Sequence, residues 1–343
     1  MKHIIHFIFS IFVCTLFVSC TNGKKTLYLF NWTYYTPDSV IKGFEKEFNV
    51  KVKIDNFASN EEMFAKLMTG ASGYDIIVPS QDYVTILIKL DMLQKIDAQK
   101  IPNLHYLSPL VKEKAQYDPN QEYSVPYFMG AAGIAVNTQK VASYEKTWNI
   151  FARSDLKNKM TMMDDMREVM GAALSFLGKS VNSLSDEDLK QAKNLIKNTW
   201  KPNLVKFDSE GFGKSFASED FWVVQGFAEV VFGEIPQEEW QSIDFFIPKE
   251  GGPMYIDSLC IPKKAKHYDL ALQFINYIHR PEVYAQFLDT FHFPSSVHTK
   301  AADFMTTKPH YTTEDLINCE IKEDLAEGLT KYDAIWQDIR FTK

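Results

Sequence analysis

Apolar residues in this chain recur with two rhythms, and their alternation predicts the architecture. Residues 26–32 (Thr-Leu-Tyr-Leu-Phe-Asn-Trp) are rich in aliphatic and aromatic side chains and predict a first strand. Thr36-Pro37 then opens a helix through Phe48, with proline at a tolerated early position and Val40, Ile41, Phe44 and Phe48 at helical spacing. Residues 50–54 alternate as a second strand. Ser59-Asn-Glu-Glu62 has the form of a capping box and starts a helix that carries Met63, Leu67 and Met68 and stops at Gly70. Residues 74–80 (Tyr-Asp-Ile-Ile-Val-Pro-Ser) predict a buried strand ending in a loop, followed by a helix to about Leu90. Strands that alternate with helices in this way predict a parallel sheet covered on both faces.

The style repeats further on. A crossing strand is expected over 130–137, helices over 146–154, 167–178 and 186–200, and short strands at 160–163, 204–207, 223–224 and 244–248. Residues 254–261 bring the chain back as a strand; 268–278 are amphipathic, Pro281 begins another helix, and 311 to the end reads as mostly helical. A chain of 343 residues, 45% of them hydrophobic, favours two lobes over one. Two α/β lobes joined by at least two crossing segments would leave a cleft, a preferred place for ligands.

The N-terminus carries a different signal. Met1-Lys2-His3 leads into an apolar run over 4–18, of signal-peptide length and too short for a permanent membrane span. Ser19-Cys20 and the polar 21–25 that follow are similar to a bacterial lipoprotein cleavage site, although Phe17 is bulkier than the usual residue three before the cysteine. The resemblance implies a signal peptide over 1–19, lipidation of Cys20 and a linker over 20–25; an ordinary secretory signal or an uncleaved anchor are the alternatives. Processing would leave Cys260 and Cys319, too few for a zinc site or a disulfide framework, though a single bridge between them is possible. Net charge is −7 with no basic stripe, which argues against nucleic acid as partner.

Candidate chemistry gathers at a few places. In Glu250-Gly-Gly-Pro-Met-Tyr-Ile-Asp-Ser-Leu-Cys-Ile-Pro262, Asp257 interrupts an apolar strand, a costly position unless it is paired or faces a wet cleft. Tyr255 lies two residues away on the same face, which suits a ligand both cationic and greasy. Alternatively Asp257 caps a loop and Tyr255 packs in a core. The carboxyl ends of the first and third strands, where such sheets bind ligands, carry Trp32-Thr33-Tyr34-Tyr35 and Ser80-Gln81-Asp82-Tyr83. Asp164-Asp165-Met-Arg-Glu168 places Asp165 and Glu168 on one helix face. They could cap the helix, hold an ammonium, or act as the acid and base of a glycosidase. No nucleophile elbow, P-loop or dinucleotide fingerprint is present, and the histidines lack metal spacing. An oxygen-only metal site through Asp164, Asp165 and Asp257 is hard to tell from a solvated acid patch.

Five stretches together resemble the spermidine/putrescine-binding proteins of polyamine ABC transporters, from residue 25 to the C-terminal helices. They are Asn31-Trp-Thr-Tyr-Tyr35, Tyr74 to Ser80, Tyr123-Ser-Val-Pro-Tyr127, Asp164 to Glu168, and Lys249 to Leu259. The resemblance implies a two-lobed periplasmic-binding-protein fold (class II), each lobe a mostly parallel sheet flanked by helices, closing on its ligand. It implies an N-terminal lobe of 26–131 plus 258–300 and a C-terminal lobe of 132–257 plus 301–343. It assigns ligand contacts to Trp32, Thr33 and Tyr35, to the carboxylates Asp165, Glu168 and Asp257, and to Ser209. Tyr255 stands where the family usually has tryptophan. The family's acid between Thr and Tyr is here Tyr34, while its aromatic after the third strand is here Asp82, next to Tyr83. A family tryptophan aligns near Val224, beside Gln225, and a glutamine near Lys322, which would repel a third ammonium. The expected protein is a monomeric, periplasmic, lipid-anchored receptor of putrescine or spermidine that delivers it to a permease and uses no cofactor or metal. A receptor for another cationic or amino-acid-like solute and a carboxylate-pair glycosidase are the alternatives.

Overall fold

Two mixed sheets organise the computed structural model, which describes residues 24–33, 35–70, 73–208 and 210–341. The apolar run over 4–18, Cys20, Tyr34 and Ser209 lie outside these residues. In chain order the strands are β1 (Thr26–Trp32), β2 (Lys51–Phe57), β3 (Ile76–Ile77), β4 (Ser124–Ala131), β5 (Gly133–Asn137), β6 (Met160–Met162), β7 (Leu204–Phe207), β8 (Val223–Gly226), β9 (Ile243–Phe246), β10 (Pro253–Cys260) and β11 (Glu320–Ile321). The first sheet runs β11-β10-β3-β1-β2, with β4 also on β10; the second runs β7-β6-β8-β5-β9. β1 is parallel to β2 and β3, whereas β10 is antiparallel to β3 and β4. In the second sheet β6 is parallel to its neighbours and β5 antiparallel to β8 and β9. The parallel β-α-β start predicted from the pattern is thus present, and a reversed strand enters each sheet where the chain crosses between them.

Period-two alternation explains how the first sheet is buried. Leu29 and Ile76 face a core shared with Val40, Phe44 and Phe274, while their neighbours Phe30 and Ile77 face a second core with Phe57, Met63 and Val84. The second sheet packs Ile134, Val223 and Met160 against Trp148, Met170 and Trp200. Local signals act as expected where they are strong. Ser59 Oγ accepts from Glu62 N at 3.1 Å, and Glu62 Oε2 reaches back to Ala58 N at 2.8 Å, opening helix Asn60–Met68. Other elements differ from the pattern. The expected helix over 146–154 is a pair of 3₁₀ turns, Trp148–Ala152 and Ser154–Leu156, and the helix begun at Asp186 ends at Leu195 before a single π turn, Ile196–Trp200, stopped at Pro202.

β10 runs unbroken across the expected boundary at residue 258 and pairs with β4 along its length, with a register shift between Asp257 and Ser258 at which Tyr127 of β4 is the extra residue. The chain therefore crosses three times: at Ala132 between β4 and β5, between β9 and β10, and after β11. Residues 301–343 touch both sheets: β11 pairs with β10, Tyr311 lies 5.9 Å from Phe245 of β9 and His310 stacks on Phe232, while Tyr332, Trp336 and Ile339 of helix Leu329–Phe341 pack with the second sheet. Cys260 and Cys319 are buried free thiols.

Candidate functional site

Asp257 lies in β10 where the pairing with β4 slips by one residue, Tyr127 of β4 being the extra one, and it bridges to Ser80, just past β3. Ser80 Oγ donates to Asp257 Oδ1 at 2.6 Å, and Asn60 fixes that serine by donating to its hydroxyl at 3.0 Å and accepting its amide at 3.1 Å. Only 3% of Asp257 is exposed. Burial pushes its carboxyl up to about 7, with Asp82 adding repulsion, against the opposing effects of Ser80, Tyr35 and Lys322. A loop-capping role is ruled out by this placement; the acid is mid-strand and buried.

Aromatic rings surround it. Trp32, at the end of β1, is fixed by donation from Nε1 to Val78 O at 2.9 Å, and its ring centroid is 6.3 Å from that of Tyr35. Tyr35 packs edge-on against Phe128 at 5.0 Å. Burial and the nearby Tyr255, Asp257 and Glu229 keep its hydroxyl protonated. Tyr255 is 8% exposed and meets Phe227 edge-on at 5.7 Å. Its hydroxyl and that of Tyr311 converge on Gly130, where a Cβ would lie 2.8 and 2.7 Å from the two oxygens. That approach requires glycine in β4. Glu229, in the first turn of helix Ala228–Gly233, joins the group from the second lobe. Burial raises its carboxyl to about 7, and Asp257 contributes.

A second acidic group lies at the N-terminus of helix Met166–Phe176. Asp165 is its cap, Oδ1 accepting from the amides of Arg167 at 2.8 Å and Glu168 at 3.0 Å. Glu168, 1% exposed, turns away from the cap and accepts from Lys322 Nζ at 2.5 Å, leaving Oε2 buried without a partner. Burial alone would lower the Lys322 pKa, but Glu168, Asp165 and Asp82 more than offset it and hold the ammonium charged. Asp82, in the first turn of helix Gln81–Lys89, is raised by burial, opposed by Lys322 and Arg167.

The remaining expected contacts are placed less directly. Thr33 is exposed and its backbone amide binds Phe57 O at 3.3 Å. Tyr83 donates its hydroxyl to Glu61 at 3.1 Å. Gln225 is fully buried behind Glu168, donating to its carbonyl at 3.4 Å and accepting from Met163 N. Ser209 lies outside the described residues. Asp164 pairs with Arg340 at 2.9 Å, apart from Asp257, and among the described residues no group of three or more acids, histidines or cysteines is arranged for a metal ion. Glu229 and Tyr311 escape the pattern analysis. An acid early in a short helix reads as a dipole effect, and Tyr311 falls in a segment without periodicity.

Together these groups form a partly buried strip: Asp257 and Glu229 among rings at one end, Lys322 with Glu168, Asp165 and Asp82 at the other. Such a strip can hold a slender cation by its charges and its methylenes at once. Of its acids, Asp165 caps the helix and Glu168 is ion-paired with Lys322.

A profile described as bacterial extracellular solute-binding protein matches residues 39–313. The spermidine/putrescine-binding periplasmic protein of Escherichia coli K12 is 33% identical over 328 residues, covering 93% of this chain and 92% of that protein. Among solved structures, the Tp0655 (TpPotD) lipoprotein of Treponema pallidum superposes with a TM-score of 0.90 at 53% identity, covering 92% of this chain and 100% of that one. A putative spermidine/putrescine ABC transporter from Listeria monocytogenes gives 0.79 at 29% identity, covering 93% and 100%.

Proposed function

Since this chain belongs to the bacterial extracellular solute-binding protein family, we propose that it captures a polyamine outside the cytoplasm and delivers it to an ABC importer. The observation that carries this reading is the buried carboxylate of Asp257, with the half-buried Glu229 near it, set against Trp32, Tyr35, Tyr255 and Tyr311 with no lysine, arginine or histidine of the described residues within 4.0 Å of either acid. Buried carboxylates are unfavourable alone and become favourable when a ligand brings the counter-charge. An ammonium over an aromatic face gains about 0.5–2 kcal/mol, and the methylenes between ammonium groups pack on the same rings. The names of the relatives from E. coli and L. monocytogenes agree in ligand, and the second adds an ABC transporter.

The lobes act as a hinged trap, with ligand favouring the closed arrangement. Thr33 and Tyr83 serve, in this reading, at the cleft mouth rather than on its floor. Cys20 carries the lipid that holds the receptor at a membrane, in keeping with the description of Tp0655 as a lipoprotein. Titration calorimetry on protein freed of ligand by unfolding and refolding is the test. Putrescine should give saturable heat at one site per chain; no heat, together with no rise in melting temperature, would refute the function.

A further inference from the structure

We propose that Lys322 is a tethered cation filling one ammonium position of the cleft, so that this site selects diamines over triamines. The inference rests on the polyamine reading above and names the ligand class within it.

Lys322 is built in rather than draped over the surface. Its amide donates to Met254 O at 3.1 Å, and its carbonyl accepts from Gln81 Nε2 at 2.7 Å. The same glutamine accepts from Ile256 N at 2.9 Å, so one buried side chain locks the Lys322 backbone to the strand that bears Asp257. The lysine side chain is 18% exposed and its ammonium meets Glu168 of the opposite lobe at 2.5 Å. Asp165 and Asp82 face the same ammonium. A chain-borne ammonium therefore stands where carboxylates converge, the environment that a ligand ammonium would otherwise take.

Two consequences follow from charge. At this end the acids already have a cation, and a ligand ammonium brought beside it meets repulsion in a poorly hydrated place. At the other end Asp257 and Glu229 remain to be neutralised. Glu168 keeps one buried oxygen without a partner, so removing the lysine would free a whole carboxylate for a third ammonium.

The test compares putrescine, spermidine and N-propylputrescine, which is spermidine without its terminal amine on the propyl arm and so carries only two ammonium groups. For the wild-type chain, putrescine and N-propylputrescine should each bind at least about tenfold tighter than spermidine, as expected for like charges brought together on binding. Lys322→Gln should narrow the putrescine-to-spermidine ratio by about tenfold or more, and Lys322→Arg should keep it. An unchanged ratio in Lys322→Gln would overturn the proposal and reduce the lysine to a structural ion pair. So would wild-type binding of N-propylputrescine no tighter than spermidine, a comparison that needs no variant and decides the matter if Lys322→Gln fails to fold. Wild-type protein that binds none of the three contradicts the polyamine reading itself, a result distinct from either.

Discussion

Asp257 illustrates how a single buried acid couples ligand, proton and stability. Its side chain accepts a hydrogen bond from Ser80, but burial and the nearby Asp82 disfavour its ionised form without ligand. Asp257→Asn preserves size and can still accept from Ser80 but loses the charge. It should weaken putrescine binding by about tenfold or more, the scale of one charge-assisted bond, without lowering the melting temperature of the empty protein. Unchanged affinity would remove the residue from the site. The pH dependence follows from the same groups. Asp257 and Glu229 have folded pKa values of about 7, above the ordinary carboxylate range. Between about pH 4.5 and 7 the folded chain thus holds more protons than the unfolded one, so these groups make the empty protein less stable as pH rises through that window. A dication needs them ionised, so affinity should rise from pH 6 to 8 and binding at pH 6.5 should release protons. Calorimetry in buffers of different ionisation enthalpy reads the release directly; proton uptake would contradict it. Asp257, Trp32 and Tyr35 were legible because an acid inside an apolar strand and aromatic residues at a strand end are unusual in themselves. Glu229 was not, because its chemistry depends on which lobe it faces.

At the scale of elements, the N-terminus of helix Met166–Phe176 serves two roles that sequence alone left open. Capping and charge presentation were alternatives for Asp165, and the geometry shows the cap while leaving the charge available to Lys322. Substitution separates the two. Asp165→Ala should cost about 1 kcal/mol of stability in urea unfolding, the ordinary value for a lost cap. Asp165→Asn keeps a capping oxygen, should stay within a few tenths of a kcal/mol of wild type, and should still weaken putrescine binding if the charge matters. Equal stability loss in both variants would contradict the separation. Strong periodicity located the helices at 38–48, 60–68 and 268–278 to within a few residues. Short strands were harder: β3 and β11 have two ladder residues each, and such pairs are set by their neighbours rather than by alternation. The register slip opposite Asp257 also has no local sequence mark, because its extra residue, Tyr127, lies on the partner strand β4.

For the whole molecule, the arrangement of crossings decides what the cleft can do. Trp32, Ser80, Asp257 and Lys322 lie on or beside the first sheet, while the second lobe brings Glu168, Gln225 and Glu229, so the proposed closure would assemble the strip and opening would divide it. Small-angle scattering should therefore show a smaller radius of gyration with putrescine than without, and an unchanged profile at saturation would speak against a hinged trap. Palmitate labelling should require Cys20, and a Cys20→Ser chain that still labels would refute the anchor. Two lobes were legible from length and from the repeated α/β style; the three crossings were not, because the return through β11 is only a few residues long. The central claim is that a diamine lies along Asp257 and its rings, and a crystal structure with putrescine tests it most directly. The account predicts one ammonium within hydrogen-bond distance of Asp257 with the methylenes against Trp32, Tyr35 and Tyr255; density for putrescine away from these residues would contradict it.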